Sequence, residues 1–181
     1  MKKTLTAMMI IAAATCWAQI QFTGRLQLYP EWNHIKTEGA SVVIETMGRI
    51  VDATHTTGTN AAQMNAFART AGTLTNGAET VHDLQAINNS FGDTVVFYRL
   101  NFLAVNSAAT NTDTITVGGA TGSVFSAWAG ATNHTVTVRP GGTFMLYAPD
   151  ATGYVSTNGN LRIANDGTNS VTYELYIGGA Q

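Results

Sequence analysis

The stretch LRIANDGTNSVTYELYI, residues 161–177, alternates apolar and polar side chains on both sides of a polar turn. Successive side chains of a β-strand point to opposite faces, so a period of two predicts strands with one buried face. The side chains predicted to face the core are Leu161, Ile163, Val171, Tyr173, Leu175 and Ile177. The turn between the two runs contains Asn-Asp-Gly, which favours a hairpin of two paired strands.

Short apolar or alternating runs separated by turn residues continue along most of the chain. We predict nine strands, at residues 19–28, 41–52, 79–84, 94–105, 114–117, 135–138, 142–148, 160–164 and 170–177. Residues 56–77 lack a clear period and are expected to form a long surface loop, with a helical turn allowed at residues 61–68 and 123–129. Many short strands without a long amphipathic helix predict an all-β fold, an antiparallel β-sandwich of jelly-roll type.

The composition limits the classes of protein to which this chain can belong. Of its 181 residues, 45 % are hydrophobic, which is enough for one core, so we predict a single β-sandwich domain over residues 19–181. Only 11 % are charged, against about 25 % in average globular proteins. Such a surface is typical of extracellular or particle-forming β proteins. The net charge of -2 and the lack of a basic cluster argue against a nucleic-acid partner.

Residues 1–18 have the layout of a secretory signal peptide. Lys2 and Lys3 precede an apolar stretch, and Cys16-Trp17-Ala18 offers a cleavage position after Ala18. The apolar part is too short for a comfortable membrane span. The segment is either cleaved on export or kept as an apolar N-terminal segment. The cleaved chain would have no cysteine, so its stability would come from packing and hydrogen bonds.

Histidines and turn oxygens give no pattern typical of a metal site. His34, His55, His82 and His134 lie in separate segments without metal-ligand spacing. Asp166 is the single carboxylate of its turn, whereas a calcium loop needs several. We therefore predict structural roles for the histidines, a plain turn at Asp166, no metal and no cofactor.

Carboxylates on or beside predicted strands could in principle form a glycosidase pair. They are Glu45, Asp52, Glu79 and Asp83. Glu45 and Asp52 are an odd number of residues apart on one predicted strand and would face opposite ways. The sequence also lacks a nucleophile elbow and a phosphate loop with lysine. We predict that the protein is not an enzyme and has no catalytic residues.

Aromatic side chains allow two interpretations. Several of them on one sheet face could stack on sugars, although single aromatics in small sandwiches more often fill the core. The residues concerned are Trp17, Tyr29, Trp32, Trp128, Tyr147 and Tyr154. The core interpretation is favoured, and a glycan platform stays open as the alternative.

The stretch TVRPGGTFMLYAPDATGY, residues 137–154, alternates turn and strand signals. Proline cannot donate to a ladder and glycine accepts positive φ, so residues 140–142 are expected to form a corner between strands. Asp150 is expected to cap its own turn by accepting backbone N–H groups two or three residues later. Arg139 could pair with Asp150 across the turn. The stretch is therefore predicted to be conformational.

The same region carries a resemblance to small virion structural proteins of tailed bacteriophages, of the head-associated, decoration or tail-fibre type. The similar pieces are TVGG at residues 116–119, VRPGG at 138–142, APDATGY at 148–154 and LRIAN from Leu161. The likeness covers residues 94–178 most clearly.

The resemblance implies a non-enzymatic structural protein of a virion that packs against copies of itself, for instance as a trimer, and against other virion proteins. Its location would then be the virion. The alternative is an exported bacterial adhesin or carbohydrate-binding module with a glycan or cell-surface receptor, secreted after cleavage of residues 1–18. Virion proteins assembled in the cytoplasm need no signal peptide, so the state of the N-terminus separates the two.

Overall fold

The computed structural model describes residues 24–28, 32–38, 41–47, 51–119, 124–157 and 159–181. Side chains are described at Arg25 and from residue 53 onward within these ranges. The predicted segment at residues 1–18 and the first half of the predicted strand at residues 19–28 lie outside the described residues. The described part is all β, without a helix and hence without a helix able to cross a membrane.

The described residues form 16 strands. The first five are β1 (Gly24–Leu28), β2 (Trp32–Glu38), β3 (Ser41–Met47), β4 (Val51–Thr57) and β5 (Gln63–Met64). The next five are β6 (Ala66–Leu74), β7 (Glu79–Asp83), β8 (Ile87–Asn88), β9 (Thr94–Val95) and β10 (Arg99–Ser107). The last six are β11 (Ile115–Gly118), β12 (Thr135–Val138), β13 (Thr143–Tyr147), β14 (Tyr154–Val155), β15 (Asn160–Ala164) and β16 (Val171–Ala180).

Nine of these strands form a β-sandwich, and eight of the nine have jelly-roll connectivity. One sheet has the order β13-β10-β16-β6, with β14 also pairing β10, and the other has the order β12-β11-β15-β7. The pairs β6·β16, β7·β15, β10·β13 and β11·β12 are all antiparallel. The chain thus runs as one long double-stranded ribbon that is rolled up, which is the jelly-roll arrangement. The predicted fold class is confirmed.

The core lies between the two sheets and consists of their inward-facing apolar side chains. The largest fully buried side chains include Phe97, Phe125, Leu103, Ile115 and Ile163. The alternation predicted for residues 161–177 is confirmed, because all six apolar side chains named for it are buried. Burial of one face of each strand supplies the main driving force for this fold.

The predicted hairpin at residues 161–177 is wrong in its pairing. β15 pairs with β7 and β11, whereas β16 pairs with β6 and β10 in the opposite sheet. The connection between β15 and β16 therefore crosses from one sheet to the other. Both a hairpin and a crossing connection turn the same apolar faces toward the core, so the period of two could not distinguish them.

Residues 56–77 are not the long surface loop that the sequence predicted. They contain the end of β4, all of β5 and the nine-residue β6, which is hydrogen-bonded to β16 along its whole length. The helical turn allowed at residues 61–68 is likewise replaced by strand. The inward positions of β6 include Ala66, Ala68 and Gly72. Such small residues give too weak a hydrophobic alternation for a strand to be recognised.

Gly72 is small because Tyr173 of β16 occupies the space beside it. A Cβ at Gly72 would lie 2.8 Å from both Cε1 and Oη of Tyr173. The same hydroxyl shares a 2.9 Å hydrogen bond with Nε2 of His82 on β7. Tyr173 therefore connects the two sheets, and the missing side chain of Gly72 makes room for it.

Three further elements differ in detail from the sequence prediction. The predicted strand at residues 94–105 is divided into β9 and β10, which belong to different sheets. The predicted strand at residues 41–52 is two strands, because β3 pairs with β2 and β4 pairs with β1 and β5. Glu45 and Asp52 thus lie on different strands, so the prediction that they face opposite ways on one strand is wrong. Residues 124–129 form no helix: Val124 makes a bridge to Asn160, and one turn follows, in which Ala129 donates its N–H to the carbonyl of Ser126 at 2.9 Å.

The sheet of β1, β4 and β5 is attached to the outer face of the five-stranded sheet. Asn65 donates its backbone N–H to the carbonyl of Gly179 at 3.0 Å, next to the end of β16. A Cβ at Gly178 would lie 2.7 Å from the sulfur of buried Met64. His55 of β4 shares a 3.2 Å hydrogen bond with Oη of Tyr147 on β13. This end of the outer face is therefore covered.

Replacement of Gly72 with alanine is expected to lower the free energy of unfolding by about 1–3 kcal/mol, because the added methyl group displaces the Tyr173 ring. Urea denaturation followed by tyrosine and tryptophan fluorescence measures the loss. Ala71→Ser, on the outward side of the same strand, is the control and should change stability by less than about 0.5 kcal/mol. Equal stability of the two variants would contradict this account of Gly72.

Candidate binding surfaces

The stretch at residues 137–154 forms corners of the sandwich, as the sequence predicted. Gly142 donates its N–H to the carbonyl of Arg139 at 2.8 Å, and Gly141 has a φ of 73°. Proline at the second position and glycine with positive φ at the third define a type II turn. This turn carries the chain from β12 in one sheet to β13 in the other.

Asp150 caps the following turn in the predicted way. Its Oδ1 accepts the backbone N–H groups of Thr152 at 2.7 Å and Gly153 at 2.8 Å. These hydrogen bonds lower the pKa of the Asp150 carboxyl, since they favour its charged form. The proposed pair with Arg139 is wrong: no ion pair joins these two side chains in the described structure, where the Asp150 carboxylate serves its own loop.

Asn101 fastens this loop to the sheet, a role that the sequence analysis did not predict. Its buried side chain donates two 2.9 Å hydrogen bonds from Nδ2, to the carbonyls of Ala148 and Asp150. Asn101 is the extra residue of a bulge, because the register of β10 with β16 shifts between Leu100 and Phe102. A bulge re-aims one side chain out of the regular alternation, and here it aims an amide at two carbonyls.

Replacement of Asn101 with alanine should leave two carbonyls without their donor and cost about 1–3 kcal/mol of unfolding free energy. Asn106→Ala is the control, since Asn106 accepts one exposed hydrogen bond from Thr143. Its loss should cost less than about 1 kcal/mol. Thermal and urea unfolding of both variants test this difference, and similar losses would show that the loop does not depend on Asn101.

Two of the four histidines have structural roles, and each shares a hydrogen bond with a tyrosine of a different sheet. His82 is bonded to Tyr173 and His55 to Tyr147, with the ring pairs in edge-on contact at 5.9 and 5.7 Å. Burial lowers the pKa of both histidines, because desolvation disfavours the charged imidazolium. Within the described ranges, no three His, Cys, Asp or Glu side chains gather into a possible metal site.

The remaining two histidines are His34 and His134. His34 lies on β2, where its side chain is not described, and His134 is exposed beside Gly130. The structure thus does not gather the three histidines with described side chains, His55, His82 and His134, into one site. The absence of a metal and of any cofactor stays a prediction.

Stability should fall as the pH drops below about 6.5, the ordinary pKa of histidine. His82 has a lowered pKa in the folded state, so the unfolded chain binds more protons between the two pKa values. The free energy of unfolding then decreases by up to about 1.4 kcal/mol per pH unit for this group. Urea unfolding at pH 7.5, 6.5 and 5.5 measures the slope.

The variant His82→Asn should show a shallower pH dependence than the wild type in this range. His134→Asn, at an exposed position, is the matched control for the loss of one histidine. If His82→Asn keeps the full slope, His82 is not the group that titrates.

Where their side chains are described, the carboxylates considered for catalysis form an ion pair or a hydrogen bond within the fold. Glu79 forms a 2.6 Å ion pair with Nε of Arg162 on the neighbouring strand. Asp83 accepts the backbone N–H of Gln85 at 2.8 Å through Oδ1. Both lie on the outward side of β7. The side chains of Glu45 and Asp52 are not described, so the non-enzymatic character of the chain stays a prediction.

Hydrogen bonds of side-chain amide and carboxylate groups hold the turn at residues 165–169 against neighbouring segments. Buried Asn165 donates from Nδ2 to the carbonyls of Leu74, Thr75 and Asn169 at 2.7–3.2 Å. Asp113 accepts the backbone N–H groups of Thr168 and Asn169, which lowers the pKa of its carboxyl. Its carboxylate supports the backbone, as expected for a structural turn.

Of the described aromatic side chains singled out in the sequence, Trp128 and Tyr154 pack against the core, whereas Tyr147 contacts His55 of β4 on the outer face of the five-stranded sheet. Trp128 donates from Nε1 to the carbonyl of Phe125 at 3.0 Å and contacts the Phe144 ring at 5.2 Å between centroids. Tyr147 and Tyr154 are half-buried. The positions of Trp128 and Tyr154 agree with the core interpretation. Trp17 and Tyr29 lie outside the described residues, and Trp32 lies on β2 without a described side chain.

Two other phenylalanines, which no sequence pattern singled out, line a surface cleft. Phe67 of β6 is 37 % exposed and Phe91, in the turn between β8 and β9, is 86 % exposed. The cleft between them has a volume of about 320 Å³. Its other walls come from the start of β6, the turn at residues 89–93 and Gln181. We call it the Phe67–Phe91 cleft.

A second, more polar groove of about 500 Å³ lies on the other side of the β8–β9 hairpin. Its walls are Arg69 and Thr70 of β6, residues 81–83 of β7 and residues 86–89. β6 is the last strand of one sheet and β7 the last strand of the other. The groove is therefore the open side of the sandwich, and we call it the β6–β7 groove. Val81, on its β7 wall, is 47 % exposed.

Comparison with known proteins adds no family. No protein-family model, no curated protein and no solved structure matches this chain. The two surfaces, the jelly-roll connectivity and the sequence patterns are therefore the basis on which a function is proposed.

Proposed function

We propose that this protein is a non-enzymatic structural component of a virion, of the capsid-decoration, head-associated or tail-fibre type, which acts by packing against copies of itself and other particle proteins. The observation that carries the proposal is the pair of open strand edges at the β6–β7 groove. Within the described residues, β6 pairs with β16 alone and β7 with β15 alone. An unpaired strand edge is a template for pairing with another chain.

The charges beside these edges are largely neutralised within the molecule. Arg69 forms a 2.5 Å ion pair with Glu174, and Tyr176 donates a 2.7 Å hydrogen bond to the same carboxylate. Glu79 is paired with Arg162. Proteins that need to keep an edge strand free commonly place unpaired charges on it, above all lysine. On β7 the outward side chain between Glu79 and Asp83 is instead Val81.

The fold and the sequence motifs support the same proposal. Viral capsid proteins are among the established users of the jelly-roll architecture, although a fold alone does not assign a function. The motifs from residue 116 to Leu161 resemble those of phage virion proteins. They occupy corners and strands of the sandwich, as expected for a scaffold. Under this proposal the protein is located in the virion.

The partner that best fits the β6–β7 groove is a second copy of this chain, placed edge to edge. Main-chain pairing would continue the sheets from one copy to the next, with Val81 and the hairpin at residues 86–89 in the contact. A closed ring, of which a trimer is one form, would cover the β6–β7 edges of every copy. A stable interface of this kind should bury more than about 1,000 Å².

A lysine in place of Val81 is expected to weaken self-association at least tenfold, because the charge would have to be buried or displaced when the edges meet. Sedimentation velocity of the full chain over a range of micromolar concentrations measures the association. Val155→Lys is the matched control, because Val155 is 54 % exposed on β14, outside the groove. Circular dichroism verifies that both variants fold.

A wild-type chain that stays monomeric at these concentrations and binds no particle protein would refute the proposal. Equal weakening by Val81→Lys and Val155→Lys would also contradict it, since the contact would then not lie at the β6–β7 groove.

A further inference from the structure

The Phe67–Phe91 cleft contains exposed aromatic side chains that folding alone does not require. Phe91 is the most exposed of the large hydrophobic side chains described, so its ring contributes little to the core. Phe67 lies on the outward side of β6, opposite Gly178 in the register with β16. Two phenylalanine rings thus border one concave site on the outside of the sandwich.

The turn that carries Phe91 is held in one shape by its own hydrogen bonds. Oδ1 of Asn89 accepts the backbone N–H groups of Phe91 and Asp93, both at 2.9 Å. The backbone adds bonds from Asn89 to Asp93 at 2.9 Å and from Gly92 to Asn89 at 3.1 Å, with Gly92 at a φ of 89°. A ring on such a turn loses little conformational freedom when a ligand binds.

The opposite wall of the cleft is also held by hydrogen bonds. The side chain of Asn65 is bonded to the backbone of Gln181 in both directions, with Oδ1 accepting the N–H at 2.9 Å and Nδ2 donating to the carbonyl at 3.3 Å. These two hydrogen bonds from the Asn65 side chain to the main chain of Gln181 place residue 181 at the cleft. The Gln181 side-chain amide makes no hydrogen bond among the described residues and lies at the exposed rim.

The polar lining indicates a neutral ligand with hydroxyl groups. Among the described residues of the cleft, Asp93 is the charged side chain, and no lysine, arginine or histidine is present. An anionic ligand such as a phosphate or a sialic acid would meet a carboxylate without a cation. Asp93 has one oxygen in a long 3.4 Å contact with Nδ2 of Asn89. Its other oxygen is available to accept hydrogen bonds from a diol.

We propose that the Phe67–Phe91 cleft binds a neutral sugar. The apolar face of a pyranose ring would stack on Phe91, while its hydroxyl groups donate to the Asp93 carboxylate and exchange hydrogen bonds with the Gln181 amide. Lectin domains are a second established use of the jelly-roll architecture, so the fold can present such a site. The proposal does not require self-association, because Phe91, Asp93 and Gln181, which would contact the sugar, do not line the β6–β7 groove.

Saturation-transfer difference NMR on the full chain tests this, with maltose, cellobiose, lactose and chitobiose as probes and with inositol hexaphosphate as a charged comparison. At least one of the four neutral disaccharides should receive saturation, and the phosphate should not. Phe91→Ala should weaken the binding of that disaccharide at least tenfold, and Asp93→Asn should weaken it several-fold. Tyr98→Ala is the matched control, because this tyrosine is 57 % exposed but does not line the cleft.

Each other outcome overturns the proposal. Absence of transfer to all four disaccharides would do so, as would binding that survives Phe91→Ala or is lost equally in Tyr98→Ala. Loss of self-association in Phe91→Ala, without any sugar binding by the wild type, would identify the cleft as a protein contact instead. Circular dichroism confirms the fold of each variant, and the exposure of Phe91 makes its replacement structurally mild.

Discussion

The fold depends on the double pairing of β16. This ten-residue strand is hydrogen-bonded to β6 on one side and to β10 on the other, and its inward side chains Val171, Tyr173, Leu175 and Ile177 are all buried. Because β6 opens the jelly roll and β16 closes it, their ladder fixes the ends of the rolled ribbon. Gly72 of β6 leaves the space that the Tyr173 side chain occupies, and Tyr173 thereby reaches His82 in the opposite sheet.

Closing the roll in this way leaves strand edges on both sides of the sandwich. The corner at residues 139–142 joins the sheets on one side, and Trp128 packs against Phe144 there. On the other side β6 and β7 end their sheets without further partners in the described structure. The short β8–β9 hairpin stands beside these edges and separates the polar β6–β7 groove from the aromatic cleft. The proposed assembly contact and the proposed sugar site are both consequences of this geometry.

Polar side chains in this protein mostly serve the backbone. Asn101, Asn165, Asp113 and Asp150 each hold a turn or a bulge by bonding to main-chain groups. Such bonds replace the disulfides that a chain of this kind lacks, since each buried amide satisfies carbonyls that would otherwise be costly to bury. They also explain why the motif at residues 148–154 is conformational: its carbonyls are the acceptors of Asn101.

The sequence by itself determined the all-β class, most strand positions and the buried face of β15 and β16, because the period of two and the turn residues are local signals. It also anticipated the Asp150 cap and the corner at residues 140–142. Only the tertiary structure decided which strands pair, since β6 and β16 are about a hundred residues apart and their ladder leaves no local mark. It alone revealed β6, whose inward residues are too small to show alternation, and the cleft of Phe67 and Phe91. Whether a phenylalanine enters the core or remains outside depends on how distant strands close around it, which no local pattern encodes.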